Sequence, residues 1–155
     1  MEIHVNANYT ANNVIRFRGI VTNPEIKAIM ERLDDYINSN GARQTGELIT
    51  TTRIIYLESR TSDIEIFVPI DRVIPSTSEF EYRPLFSLND CIMTRHKGNP
   101  RLMPVTYTKL YHKVTDMGLE VVQPFYNVFK GEVCDLWDMD ELEADVYVVK
   151  EGANF

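Results

Sequence analysis

The chain reads as one module written twice, which confines its fold more than any single motif does. Ile15-Arg16-Phe17-Arg18-Gly19 is echoed by Thr94-Arg95-His96-Lys97-Gly98. After each Gly comes a helix-like stretch holding Leu33 or Leu110, and eight residues past each Leu stands Gly41 or Gly118. Each half closes on an acidic and apolar run, Asp63-Ile64-Glu65-Ile66-Phe67-Val68 or Ala144-Asp145-Val146-Tyr147-Val148. Internal repeats of this kind govern the reading of everything else. A duplicated module is expected to place a cleft at its pseudo-symmetric junction, a common ligand position.

The totals narrow the function classes. At 155 residues the chain makes one compact domain or two small modules with a shared core. A net charge of −7 and a pI near 5.0 argue against a nucleic-acid partner, because phosphate binding needs a basic stripe. No apolar run reaches the roughly 18 residues of a membrane span. The start, Met1-Glu2-Ile3-His4-Val5-Asn6, lacks the basic and apolar regions of a signal peptide, so a cytoplasmic location is expected. Two cysteines, Cys91 and Cys134, do not make a disulfide framework. With His96 and His112 they match no common zinc spacing, and neither metal nor cofactor is expected. A phosphate-binding Gly loop, a dinucleotide fingerprint, a Gly-x-Ser-x-Gly elbow and a His-Glu-x-x-His helix are all absent from the sequence.

In chain order, residues 1–13 are polar and Asn-rich and read as an arm, with a short edge strand near Glu2 to Val5. The first β-α-β-β repeat spans 14–72. Val14 to Val21 is a strand, Asn23-Pro24 starts a helix, and Ile26, Ile29, Met30, Leu33 and Ile37 form its apolar stripe. Gly46 to Glu58 and Asp63 to Ile70 form a hairpin. Residues 73–84, with Pro75 and Pro84, read as a linker. The second repeat, 85–150, runs strand Leu85 to Lys97, helix Arg101 to Asp116, strand Val121 to Lys130 and strand Ala144 to Lys150. Met103, Tyr107, Leu110, Tyr111 and Val114 are the stripe of its helix. The expected fold is α+β: a tandem β-α-β-β duplication with a mostly antiparallel sheet and two helices around a central cleft.

His96-Lys97-Gly98, the helix with Leu110, Met117-Gly118-Leu119-Glu120-Val121, Pro124 and Val128-Phe129-Lys130 together resemble the GyrI-like effector-binding domain. Asp145-Val146-Tyr147-Val148 is similar to that family's last strand, and Asp63 to Ile70 has a related ending. The resemblance covers roughly 14–150. It implies a tandem fold framing a ligand pocket, which in family members fused to DNA-binding domains senses small cationic or aromatic molecules. It extends to stand-alone members, among them gyrase-inhibitor-like proteins, candidate hydrolases of small electrophiles, and an uncharacterised Gram-positive bacterial subgroup, some encoded near secreted-toxin loci. Three positions depart from the family pattern: Asp145 stands for a Glu, Val149 for a Pro, and Gly98-Asn99-Pro100 for Gly-Pro-Tyr.

The resemblance implies that Asp145 is the pocket acid. Strand alternation puts Tyr147 on its face. Phe67, Tyr111, Trp137 and Tyr147 could offer cation–π faces to a positive ligand. Glu65 is the symmetry mate of Asp145 and shares a face with Asp63 and Phe67; a cross-sheet ion pair with Arg53 or Arg18 is its plainer role. Residues 132–143 make an acidic loop, holding Leu136 and Trp137, that could lid the cleft or dock a basic protein partner. The expected function is that of a stand-alone, non-enzymatic binder of a small amphipathic or cationic ligand, without a DNA-binding domain and without nucleic-acid or membrane partners. The alternatives are a hydrolase of a small reactive compound, with Glu65 or Asp145 as general base, and a protein-interaction module associated with a toxin or secretion locus.

Overall fold

The computed structural model describes residues 1–131 and 141–150. The element order is β1 (Ile3–Val21), α1 (Asn23–Ser39), β2 (Ile49–Tyr56), β3 (Thr61–Pro69), β4 (Phe80–Gly98), α2 (Met103–Asp116), β5 (Val121–Phe129) and β6 (Leu142–Lys150). A 3-10 turn, Pro100–Leu102, precedes α2. The fold is α+β, and each strand pairing described below is antiparallel. No described helix is long and apolar enough to cross a membrane.

The residues fall into two units. One is Thr10–Phe86; the other joins Met1–Tyr9 to the chain from Ser87 onward. Two strands exceed their expected lengths, and both hold left-handed residues. The Asn-rich segment is not an arm but the first part of the 19-residue β1, with Asn6 and Asn13 at φ 62° and 55°. Asn tolerates this conformation better than most residues, so the strand can bulge without ending. The expected linker shortens because β4 begins at Phe80, and its own left-handed residue is Asp90, at φ 54°.

In the unit Thr10–Phe86, β3 lies between β1 and β2. Helix α1 begins one residue earlier than Asn23 predicts as a cap. Thr22 is the N-cap because Glu25 returns its carboxylate to the Thr22 amide at 3.0 Å and hydroxyl at 2.8 Å, a capping box. Ile29, Leu33 and Ile37 are buried, each contributing about 1.5–3 kcal/mol by apolar burial. Phe80 meets Phe17 edge-on, with centroids 6.4 Å apart, and Tyr36 at 5.4 Å.

In the other unit, β6 lies between β4 and β5. Met103, Leu110 and Val114 are the buried residues of α2. Tyr107 donates its hydroxyl to Asn127 Oδ1 at 2.6 Å and stacks on Phe125 at 4.9 Å. Tyr111, expected in the same stripe, is 47% exposed. His96 is buried, with Nδ1 2.7 Å from Thr106 Oγ1 and Nε2 3.0 Å from the Asn99 carbonyl, which fastens β4 to the start of α2.

Candidate functional site

Strand register assembles a face that no local motif displays. Residues directly opposite in antiparallel strands share a face, and so do alternate residues along one strand. Across β4, β6 and β5, one row is therefore Arg95, Asp145 and Val128, and the next is Met93, Tyr147 and Tyr126. Lys97 and Glu143 extend the face at its charged end. Lys130, just past β5, hydrogen-bonds through its amide to the Glu143 carbonyl at 2.8 Å. Tyr9 adds a ring 6.1 Å from that of Tyr147. The face is charged at one end and aromatic at the other.

Asp145 is 3% exposed and ionically satisfied from within the unit. Arg95 donates Nε to Oδ1 at 2.8 Å, and Lys130 Nζ stands 3.0 Å from Oδ2. Arg95 also reaches Glu143 at 3.0 Å. Burial pushes the Asp145 pKa up, but the hydrogen bonds and charges of Arg95 and Lys130 outweigh it and hold the carboxyl below its ordinary value of 3.8. The hydrogen bond and charge of Asp145, with those of Glu143, raise the Arg95 guanidinium above its ordinary value.

The unit Thr10–Phe86 carries a comparable acid. Glu65 is 1% exposed, in a row with Arg18 and Thr51. Arg16 donates Nε to its Oε2 at 2.8 Å, and Arg53 takes Oε1. Arg53 is thus a partner, as a cross-sheet pair predicts, while Arg18 pairs with Asp63 at 3.1 Å instead. Phe67, on the Glu65 face, packs against Phe86 with centroids 4.7 Å apart.

The structure therefore brings Asp145 together with Tyr147, and Glu65 with Phe67. Tyr111 lies on the exposed side of α2 and joins neither pair. Trp137, Leu136 and most of the acidic loop at 132–143 lie outside the described residues, as does Cys134. Cys91 is buried, and desolvation, reinforced by Asp90, pushes its thiol up to about 11. No group of three or more His, Cys, Asp or Glu that could hold a metal occurs among the described residues. Sequence reasoning missed Arg95, Lys130, Met93, Tyr126 and Tyr9. Only strand register could have found the first four.

No family model matches the chain, and no curated protein sequence matches it. Solved structures do. The chain superposes on EcmrR in the EcmrR–DNA complex with a TM-score of 0.73 at 17% identity, covering 97% of this chain but 58% of EcmrR. It superposes on the EcmrR C-terminal domain alone with a TM-score of 0.69 at 15% identity, covering 99% of this chain and 100% of that domain. SAV2435 bound to tetraphenylphosphonium follows with a TM-score of 0.51 at 8% identity, covering 97% of this chain and 93% of that one. At these identities the likeness is one of fold: the chain shares the fold of the EcmrR C-terminal domain.

Proposed function

We propose that this chain binds a small amphipathic molecule and performs no chemistry on it. The observation that carries the reading is the graded face of the unit containing β4, β5 and β6. Tyr147, Tyr126, Met93 and Tyr9 supply an aromatic and soft apolar bed. The Arg95–Asp145 row beside it orients a polar end. Binding sites commonly combine a large apolar lining with a few fixed polar groups. The shared fold with the EcmrR C-terminal domain, and with a protein bound to tetraphenylphosphonium, supports the same reading by analogy.

A hydrolytic role is less well supported by the same geometry. A general base works best with a pKa near the working pH, and Asp145 is held below the usual carboxylate range. Glu65 is tied to two arginines.

The β-α-β-β order occurring twice, with a buried acid on the last strand of each set, is best explained by duplication of one module. Glu65 and Phe67 are then the counterparts of Asp145 and Tyr147. The direct test is native mass spectrometry of protein purified from its own host, followed by calorimetric titration with aromatic probes. Tyr147→Leu keeps apolar volume and removes the ring, and should weaken binding by about 1 kcal/mol or more. A host-purified protein with no retained small molecule, together with no heat from any aromatic probe, would overturn the reading.

A further inference from the structure

A carboxylate beside aromatic rings would ordinarily attract a cation. In this chain that position is already filled. Asp145 faces Arg95 and Lys130, and Glu143 takes a second contact from Arg95. Two acids thus meet two bases, so the cluster is neutral as a whole. A cationic ligand would have to displace one of the protein's own cations, and it would gain only the difference between the two pairings. The two cations differ from their acid in one useful respect. The Asp145 side chain is 4% exposed, whereas those of Arg95 and Lys130 are 45% and 31% exposed. Glu143 is also 39% exposed, but Lys97, exposed on the same face, joins Arg95 and Lys130 against it, so what this end presents to an incoming molecule is net positive.

We propose that Arg95 and Lys130 set the charge preference of the site, so that it takes neutral or anionic aromatic molecules ahead of cations. The inference rests on the small-molecule reading above and adds the class of ligand to it. Arg95 acts here as a specificity determinant, because its row adjoins the Tyr147 and Tyr126 row that would hold the aromatic body.

Tetraphenylborate and tetraphenylphosphonium are near-isosteric ions of opposite charge, and both are titrated into the whole chain by calorimetry. The wild type should bind the borate up to about fivefold more tightly than the phosphonium, the scale of one partly exposed ion pair. Arg95→Gln leaves Asp145 with Lys130 alone and should narrow or reverse that ratio. Asp145→Asn frees Lys130, leaves Arg95 only its Glu143 contact and should widen it, with circular dichroism confirming that each variant folds. Tighter phosphonium binding by the wild type, or a ratio unmoved in Arg95→Gln, overturns the charge assignment while leaving a small-molecule site. Binding of neither ion to the wild type overturns this inference and counts against the small-molecule reading beneath it.

Discussion

Arg95 sits directly across the sheet from Asp145 and donates its Nε to the carboxylate at 2.8 Å, fifty residues away in the chain. The pair is asymmetric: the acid is buried and the base is nearly half exposed. Loss of the base and loss of the acid should therefore differ. Arg95→Ala leaves Asp145 with Lys130 and should cost about 1 kcal/mol. Asp145→Ala leaves a void and two cations that can turn outward, and should cost about 1–3 kcal/mol. Urea denaturation of both variants checks the order, and a larger loss in Arg95→Ala would contradict it.

The Asp145 carboxyl also predicts a pH dependence. Its folded pKa lies below its ordinary value of 3.8, so the unfolded state takes up its proton first as the pH falls. The contribution to stability is fully present above the unfolded pKa, and it is lost as the pH falls through the folded one. The difference in unfolding free energy between wild type and Asp145→Asn should be constant from pH 7 to about 5 and shrink between about 4 and 2. A gap that widened on acidification would show the sign to be wrong.

Much of the fold was legible because its signals are local. Ile29, Leu33 and Ile37 recur at helical spacing and are buried, and alternation alone puts Asp145 and Tyr147 on one face. Cross-strand partners were not legible, because register is fixed by three strands at once. Matching Gly19 to Gly98 aligns Arg95 with Arg16. One shorter interval separates Asn13 from Asp90, Arg18 from Arg95, Leu33 from Leu110 and Gly41 from Gly118. Register agrees with the shorter interval, since Arg18 stands opposite Glu65 as Arg95 stands opposite Asp145. The two alignments differ by two residues, an even step, so the face assignment is the same in both. Tyr111 was misplaced for another reason. It neighbours Leu110 in sequence, and only about 100° of the helix surface faces the sheet.

Gly19 is set by the ring of Phe17. A Cβ there would meet Phe17 Cζ at 2.8 Å, and Phe17 is itself buried and packed on Phe80. Gly19→Ala should cost about 1–3 kcal/mol by overpacking. Phe17→Leu makes room, so the double variant should lose less than the sum of the single losses. Strict additivity in a double-mutant cycle would show that the ring is not what excludes a side chain.

Gly118 isolates a backbone effect. It has φ 76°, its amide bonds the Thr115 carbonyl at 2.9 Å, and nothing lies within 4 Å of where a Cβ would stand. Gly118→Ala should cost about 1 kcal/mol from left-handed strain alone. Gly118→Asn should cost less, because Asn is the commonest substitute at such helix ends. Thermal melts of the two variants read the difference; equal losses would mean that contact, and not conformation, selects glycine.

Glu65 and Asp145 should differ in what their loss does, because their partners differ in exposure. Arg16, the partner of Glu65, has a side chain 13% exposed and little freedom to reach water. Arg53, its other partner, is 35% exposed. Removing Glu65 leaves the mostly buried Arg16 guanidinium only the more distant Glu81, 4.0 Å away, a loss of about 3 kcal/mol. The bases around Asp145 are more exposed, so its loss is the smaller. Glu65→Ala should therefore destabilise more than Asp145→Ala. Glu65→Ala with Arg16→Met, which removes the poorly compensated buried charge and keeps the stem, should recover part of the difference. Chemical denaturation of the three variants orders them, and an Asp145→Ala loss as large as that of Glu65→Ala would refute the exposure argument.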